Sequence, residues 1–205
     1  VEAAFCLYPI YFTLKPYIML KTVQHLSTTE LEAGLAHVKK SPKDEGEIQL
    51  IVRRPNMNER EVLTSGELDV QLGLVGDNWS TRGSSRTPDG NAHPEMQINI
   101  MNARIIDLIA GEKERWALAG DQFYVDLDLS DDNLPVGTRL SFGSAILEVS
   151  PIPHNGCKKF TERFGIDAVK FVNSPMGKQL HLRGINAKVV QAGTVRVGDT
   201  VKKMN

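Results

Sequence analysis

A chain of 205 residues with 41% hydrophobic and 24% charged side chains has the make-up of an ordinary globular domain. At that length it can bury about 70% of its unfolded surface without metal or disulfide staples. Two cysteines, Cys6 and Cys157, exclude a disulfide framework and fit a reducing, cytoplasmic setting, and the net charge of −1 conceals a strong asymmetry taken up below.

Residues 3–20 are apolar, but Pro9, Lys15 and Pro16 interrupt them. The unbroken piece is too short to span a bilayer, and no basic segment precedes it as in a secretory signal. Met19 is a candidate start. Residues 1–18 are therefore expected to be an N-terminal extension, or else a segment packed on the domain surface, with residues 19–205 forming one domain. Ser27-Thr28-Thr29-Glu30 has capping-box spacing ahead of Leu31, Leu35 and Val38, which predicts a helix ending near Lys40 because Pro42 follows. Glu47 to Arg54 alternates and then becomes continuously apolar, the pattern of a strand buried at its centre. Arg53 and Arg54 close it and Pro55 ends it; either arginine can reach an anionic ligand or lie on the surface. Residues 78–94 are rich in Ser, Thr, Arg, Gly, Asp and Pro without periodicity. They predict a long loop, a candidate lid carrying Arg82, Arg86, Asn91 and His93.

Glu95 to Met101 reads as a strand and Ala103 to Ala110 as a short helix stopped at Gly111. Gln122 to Leu129 alternates, with Phe123, Val125, Leu127 and Leu129 on one face, the pattern of a half-buried strand. Residues 139–142 and 144–149 predict a hairpin, and Lys188 to Val201 two short strands bent at Gly193 and at Gly198-Asp199. Short strands punctuated by glycine turns favour a barrel or a sandwich, decorated by a few helices.

The stretch from Pro151 to Gly165 (PIPHNGCKKFTERFG) is the most site-like. Asn155-Gly156 supplies a turn, Lys158 to Phe164 a short helix stopped at Gly165, and Cys157 falls at the helix N-terminus. A thiolate there gains roughly 0.3–1 kcal/mol from the helix dipole, less than about one pKa unit, which leaves a thiol of pKa ~8.5 mostly protonated. A reactive Cys157 therefore needs help from His154, Lys158, Lys159, Arg163 or a bound metal. Spacing alone leaves a second reading open: Cys157, Phe160 and Phe164 stand at i, i+3 and i+7, and an inert cysteine would share their buried face. From Cys157 to Asn205 there are ten Lys and Arg against three acids, a balance of +7 that leaves −8 on the preceding residues. Such asymmetry points to an anion-binding face in the C-terminal part.

Five segments stand in the order and spacing of a MOSC domain, the module named for the C-terminal part of molybdenum-cofactor sulfurases. They are Ile146–Ser150 (ILEVS), the Cys157 turn, Arg163-Phe164-Gly165, Leu182–Val190 (LRGINAKVV) and Gly193–Val201 (GTVRVGDTV). The chain resembles that family most from about Leu134 onward, and more loosely back to Arg53-Arg54-Pro55 and Gly73–Trp79. The resemblance implies a mainly β, mixed α/β fold, a strongly bent β-barrel with short peripheral helices. It also implies one of two linked chemistries at Cys157: holding a molybdenum cofactor, or carrying sulfur for a metal centre. A soft thiolate suits both, and arginine and lysine suit the phosphate of a pterin cofactor. The residues carried over are Cys157 as the reactive group and molybdenum ligand, with Arg183, Asn186, Lys158, Lys159, Arg163 and His154 around the cofactor. Relatives often carry a histidine- and glycine-rich segment where this chain has Asp89-Gly90-Asn91-Ala92-His93. The implied partners are a molybdopterin-type cofactor or a sulfur-donor protein.

Neither a membrane nor a nucleic acid is expected, since no exposed aromatics are interleaved with the basic residues. A phosphate-binding glycine loop, a paired-cysteine zinc pattern and a nucleophile-serine elbow are absent, and the five histidines lack metal-ligand spacing. The alternative is a non-catalytic module that binds a partner protein or an anionic metabolite, with Cys157 buried and structural.

Overall fold

The computed structural model describes residues 24–204. The expected extension over residues 1–18, and Cys6 with it, lies outside the described residues. Helix α1 (Thr28–Val38) begins with the expected capping box: Ser27 Oγ accepts the Glu30 N–H, and Glu30 Oε2 accepts the Ser27 N–H at 2.8 Å. Its Leu31, Leu35 and Val38 are buried. The chain then forms β1 (Glu45–Arg53), β2 (Glu61–Leu63), β3 (Ser65–Asp69), β4 (Gly73–Leu74) and the single turn of α2 (Trp79–Arg82). Next come β5 (Ile98–Asn102), α3 (Ala103–Ala110), a 3-10 segment (Lys113–Ala119), β6 (Phe123–Asp126), β7 (Arg139–Phe142) and β8 (Ala145–Val149). The C-terminal part holds α4 (Lys158–Asn173), α5 (Pro175–Gln179), β9 (Ile185–Gln191), β10 (Gly193–Arg196) and β11 (Thr200–Lys203).

Seven strands close into a mixed barrel in the order β1-β6-β5-β9-β8-β7-β11 and back to β1. Only the β5–β6 pair is parallel, and its crossover is made by α3 and the 3-10 segment, because a parallel pair cannot be joined by a tight turn. One edge of β1 is shared. Its first residues pair with β11 (Glu45 opposite Lys202) and close the barrel, while its last pair with β2 (Ile51 opposite Leu63). A small sheet, β10-β3-β4, sits beside it.

The barrel has a core on each side of its wall. Ile48, Ile51, Ile98, Ile100, Phe123, Val125 and Phe142 fill the interior; Leu50, Val52, Met101 and Tyr124 point outward beneath α1, α3 and α4. That double burial corrects the expectation of a half-buried strand at 122–129. Phe123 and Tyr124 face opposite ways and neither has any exposure, because helices cover the outer face of β6. Three further boundaries differ from expectation. Pro94–Met96 is a 3-10 turn, so β5 starts at Ile98 rather than Glu95, and three short strands, not two, follow Arg183. The helix after Cys157 reaches Asn173: Gly165 breaks its geometry (φ 89°, ψ 166°), but the chain resumes a helical path beyond the break. No helix among the described residues is long and apolar enough to cross a membrane.

Candidate functional site

The segment from Ser150 to Cys157 runs from the end of β8 to the start of α4 and is anchored from both directions. Ser150 N–H donates to the Asn186 carbonyl at 2.9 Å, Asn186 Nδ2 donates to the Ile152 carbonyl at 2.8 Å, and Asn173 clamps Gly156 through both its amide atoms. Cys157 is the N-cap residue of α4. Its carbonyl accepts the Thr161 N–H, and its side chain makes no capping bond. The thiol is exposed, whereas Phe160 and Phe164 are buried, so the alternative of a structural cysteine sharing their face does not hold. The reason is the extended backbone at Cys157 (φ −118°), which takes the residue off the helical spacing that would have aligned it with the two phenylalanines.

Cys157 opens onto a cavity of about 360 Å³ that collects residues from six parts of the chain. Among the described residues six cationic side chains line it, Arg54, Arg60, Arg82, Lys159, Arg163 and Arg183, with no carboxylate in the wall. Two of the six are held from behind by buried acids. Arg54, at the end of β1, donates Nε and Nη2 to the two oxygens of Asp77 at 2.8 Å each, and Nη1 to Asn99 Oδ1 and the Gly120 carbonyl. Arg183 donates Nη1 to both oxygens of Asp121 at 2.9 and 2.7 Å, places Nη2 on the Ala119 carbonyl, and lies 4.9 Å above the Phe160 ring. Both pairs are almost fully desolvated, which locks the two guanidinium planes.

The other cations are held more lightly. Arg60 and Arg163 each spend donors on carbonyls of the 3-10 segment, Lys159 reaches Asn58, and the guanidinium of Arg82 makes no hydrogen bond or ion pair among the described residues. Crowding shows in their acidity. Burial first, then neighbouring guanidinium groups, pull Arg60 and Arg82 below the ordinary arginine value. An anion in the cavity would relieve that repulsion. His154 stands in the same wall. Burial, then Arg183 and Arg54, push its ring well below the ordinary value of 6.5, so it is neutral at neutral pH. Its Nδ1 lies 3.4 Å from Asp121 Oδ1, without a hydrogen bond of good geometry. For Asp121 burial works upward, opposed by Arg183. Nδ1 of His154, Nε of Arg183 and Oδ1 of Asn78 are buried polar atoms with no partner among the described residues, and all three belong to residues of this cavity.

The cavity thus gathers Cys157, His154, Lys159, Arg163 and Arg183 of the expected site residues. Lys158 and Asn186 are not in its wall. Lys158 is exposed, and Asn186, with no exposure, uses both amide atoms to tie Asn99 to the Ile152 backbone. Sequence reasoning passed over Arg60, Asp77, Asn99 and Asp121. Asn99 left a signal, a polar residue inside the apolar run from Ile98 to Met101; Asp77 and Asp121 left none, since an acid beside a turn is ordinarily solvated. Among the described residues no group of three or more His, Cys, Asp or Glu could hold a metal ion by itself.

A profile of the MOSC domain matches residues 87–202, more than half of the chain. The chain belongs to the MOSC domain family. That family is associated with the molybdenum cofactor, and the match takes in the Cys157 segment, α4 and Arg183. No curated protein matches the chain significantly. Similar solved structures include the YuaD protein of Bacillus subtilis, with 19% identity over 78% of this chain and 95% of that one and a TM-score of 0.53. YiiM from Escherichia coli is 18% identical over 78% of this chain and 70% of its own, with a TM-score of 0.51. A hypothetical protein at 18% identity covers 82% of this chain and 71% of its own, with a TM-score of 0.56. At these identities the likeness is one of fold alone, and the family rests on the profile match.

Proposed function

We propose that this MOSC domain binds a phosphate-bearing molybdenum cofactor in the arginine-rich cavity, with the Cys157 thiolate as the soft ligand to the metal. The observation that carries the reading is the meeting, in one cavity, of an exposed thiol with six cations and no wall carboxylate among the described residues. The residues suit the group. Arg82, Arg163, Arg60 and Lys159 keep donors for phosphate, while Arg54 and Arg183, fixed by Asp77 and Asp121, provide a rigid cationic floor. Cys157 is the one thiol in the cavity among the described residues, and thiolate is the protein ligand type that soft metals prefer. When bound, the cofactor supplies redox chemistry at its metal. The chain's own part is to neutralise the phosphate, orient the metal against Cys157 and hold His154 neutral beside it.

A sulfur-carrying role at Cys157 is the second reading, favoured by the exposure of the thiol to a sulfur-donor protein. The two separate in one experiment. Protein made in a host that produces molybdenum cofactor is analysed for molybdenum and pterin. Near-stoichiometric amounts are expected for the wild type, and loss of the metal for Cys157→Ser with an unchanged thermal midpoint. Arg82→Ala should weaken cofactor retention by about 1.5–3 kcal/mol, the worth of a hydrogen bond to a charged group. Wild-type protein that holds neither molybdenum nor pterin but accepts sulfur from a cysteine desulfurase would overturn the first reading in favour of the second.

A further inference from the structure

A second cavity, of about 320 Å³, lies on the other side of the 150–157 segment. It is bounded by the ends of β8 and β9, by α4 and α5, and by the loop around Leu134. Its character is opposite to that of the arginine cavity. Leu134, Val149, Ile152, Val172 and Ile185 supply apolar walls, and the polar groups among them are already engaged: Ser150 Oγ donates to the Glu95 carbonyl, and Asn186 is spent on Asn99 and Ile152. His181, at the edge, is held between the Leu129 carbonyl (2.6 Å) and Asp131 (2.9 Å). Asn155 and Lys178 are exposed at the mouth, and the exception in the interior is His154, which belongs to the walls of both cavities.

His154 sets the polarity of the ligand. The Asp121 carboxylate 3.4 Å from Nδ1, although not aligned for a good hydrogen bond, favours the neutral tautomer with its proton on that nitrogen, and that tautomer leaves Nε2 as an acceptor. Nε2 has no hydrogen-bond partner among the described residues. The volume is in the range of small-molecule pockets, room for about ten waters or a molecule of one or two rings. The charged side chains of this cavity, Lys178 and Asp131, are exposed at its mouth, so a charge carried in against the apolar walls would be unpaired, and burying an unpaired ion is costly.

From this we propose that the second cavity is a binding site for an uncharged, ring-sized, largely apolar molecule bearing an N–H or O–H donor. Such a molecule enters separately from the anion in the arginine cavity and meets the shared wall at His154. The binding does not depend on the cofactor reading, because it uses a different set of walls and a ligand of different charge.

Indole, an apolar bicycle with one N–H, is the probe for this cavity, and inorganic pyrophosphate the probe for its neighbour. The full chain carrying 13C-labelled Ile, Leu and Val methyl groups is titrated with indole by NMR, first alone and then with pyrophosphate at saturation. Saturable shifts at Leu134, Val149, Ile152, Val172 and Ile185, unchanged by pyrophosphate, are the expected result. His154→Phe keeps a ring of similar size but removes the acceptor, and should weaken indole by about tenfold, the cost of one hydrogen bond. Val136→Trp, at a wall residue that is largely exposed and so leaves the fold intact, should narrow the entrance and weaken indole by at least about as much. No shift at these methyls up to the solubility of indole, competition by pyrophosphate, or equal binding by both variants would overturn the proposal.

Discussion

Asp121 has no solvent exposure, and both its oxygens rest on one nitrogen of Arg183. Removing only the arginine leaves a carboxylate stranded in the barrel wall, so Arg183→Ala should cost about 3–5 kcal/mol of stability by urea unfolding. Replacing the pair together, Arg183→Met with Asp121→Leu, should cost clearly less than the single change, since no charge is then left buried. A single variant within error of the wild type would show that Asp121 is not held as an anion. His154 makes a different kind of contribution. Its folded value lies below the unfolded one of 6.5, so as pH falls through that value the unfolded chain gains a proton that the native ring refuses. Stability is thus full above pH 6.5 and declines below it, by at most about 1.4 kcal/mol per pH unit. Asp121, raised by burial, acts in the opposite sense, which makes the comparison with His154→Phe the informative one. The variant should flatten the slope of stability against pH just below 6.5, and an unaltered slope would mean that the ring takes up its proton in the native state.

At the scale of the element, α4 joins the site to the outer core. Its first turns present Lys159 and Arg163 to the cavity and Phe160 and Phe164 to the core, because the two faces of one amphipathic segment fall on opposite sides of the barrel rim. Gly165 lets the helix change direction after Phe164 with backbone angles that only glycine adopts readily (φ 89°, ψ 166°). A Cβ there would also come within 2.8 Å of the His25 ring. Gly165→Ala should therefore destabilise by about 1–3 kcal/mol with an unchanged denaturant slope, and chemical denaturation measures both. A stability equal to wild type would mean that the two halves of α4 can merge into one straight helix. The same change should loosen the placement of Arg163, whose carbonyl accepts from Arg115 at 2.9 Å and whose Nη1 reaches the Leu118 carbonyl.

Over the whole molecule, the barrel wall is the layer through which the inner and outer cores are coupled. Leu50 and Tyr124 belong to the outer core and Ile51 and Phe123 to the inner one, on the same paired strands. Within the barrel, Phe123 and Phe142 meet edge to face with ring centroids 5.0 Å apart, and neither is exposed. Phe142→Ala should cost about 3–5 kcal/mol, and calorimetry should show one cooperative transition at lower temperature. Two separated transitions would show instead that the helical layer and the barrel unfold independently. Closure of the barrel through β1 and β11 argues for the single transition, because it ties the first described strand to the last.

The sequence by itself determined what depends on neighbours along the chain. The capping box at Ser27, the stop of α3 at Gly111, the hairpin turn at Gly143 and the glycine break at Gly165 are local backbone matters, legible from residue type and spacing. So were the short strands that favoured a barrel, and the motifs around Cys157, Arg183 and Gly198 that resemble a MOSC domain. Tertiary structure decided what depends on residues far apart. Whether Cys157 faced the core or the solvent turned on one extended residue ahead of α4, and 3.6-residue spacing cannot anticipate that. Burial of both faces of β6 required the helices to be laid over it. The cavity joins Arg54, Arg82, Cys157, Arg163 and Arg183, with Asp77 and Asp121 behind, across more than a hundred residues of chain, and charge counting had located only its C-terminal half. An isolated arginine in a sequence is ordinarily a solvated surface charge; only barrel closure desolvates these and turns them toward one point, because electrostatic environment is set by distance in space and not along the chain.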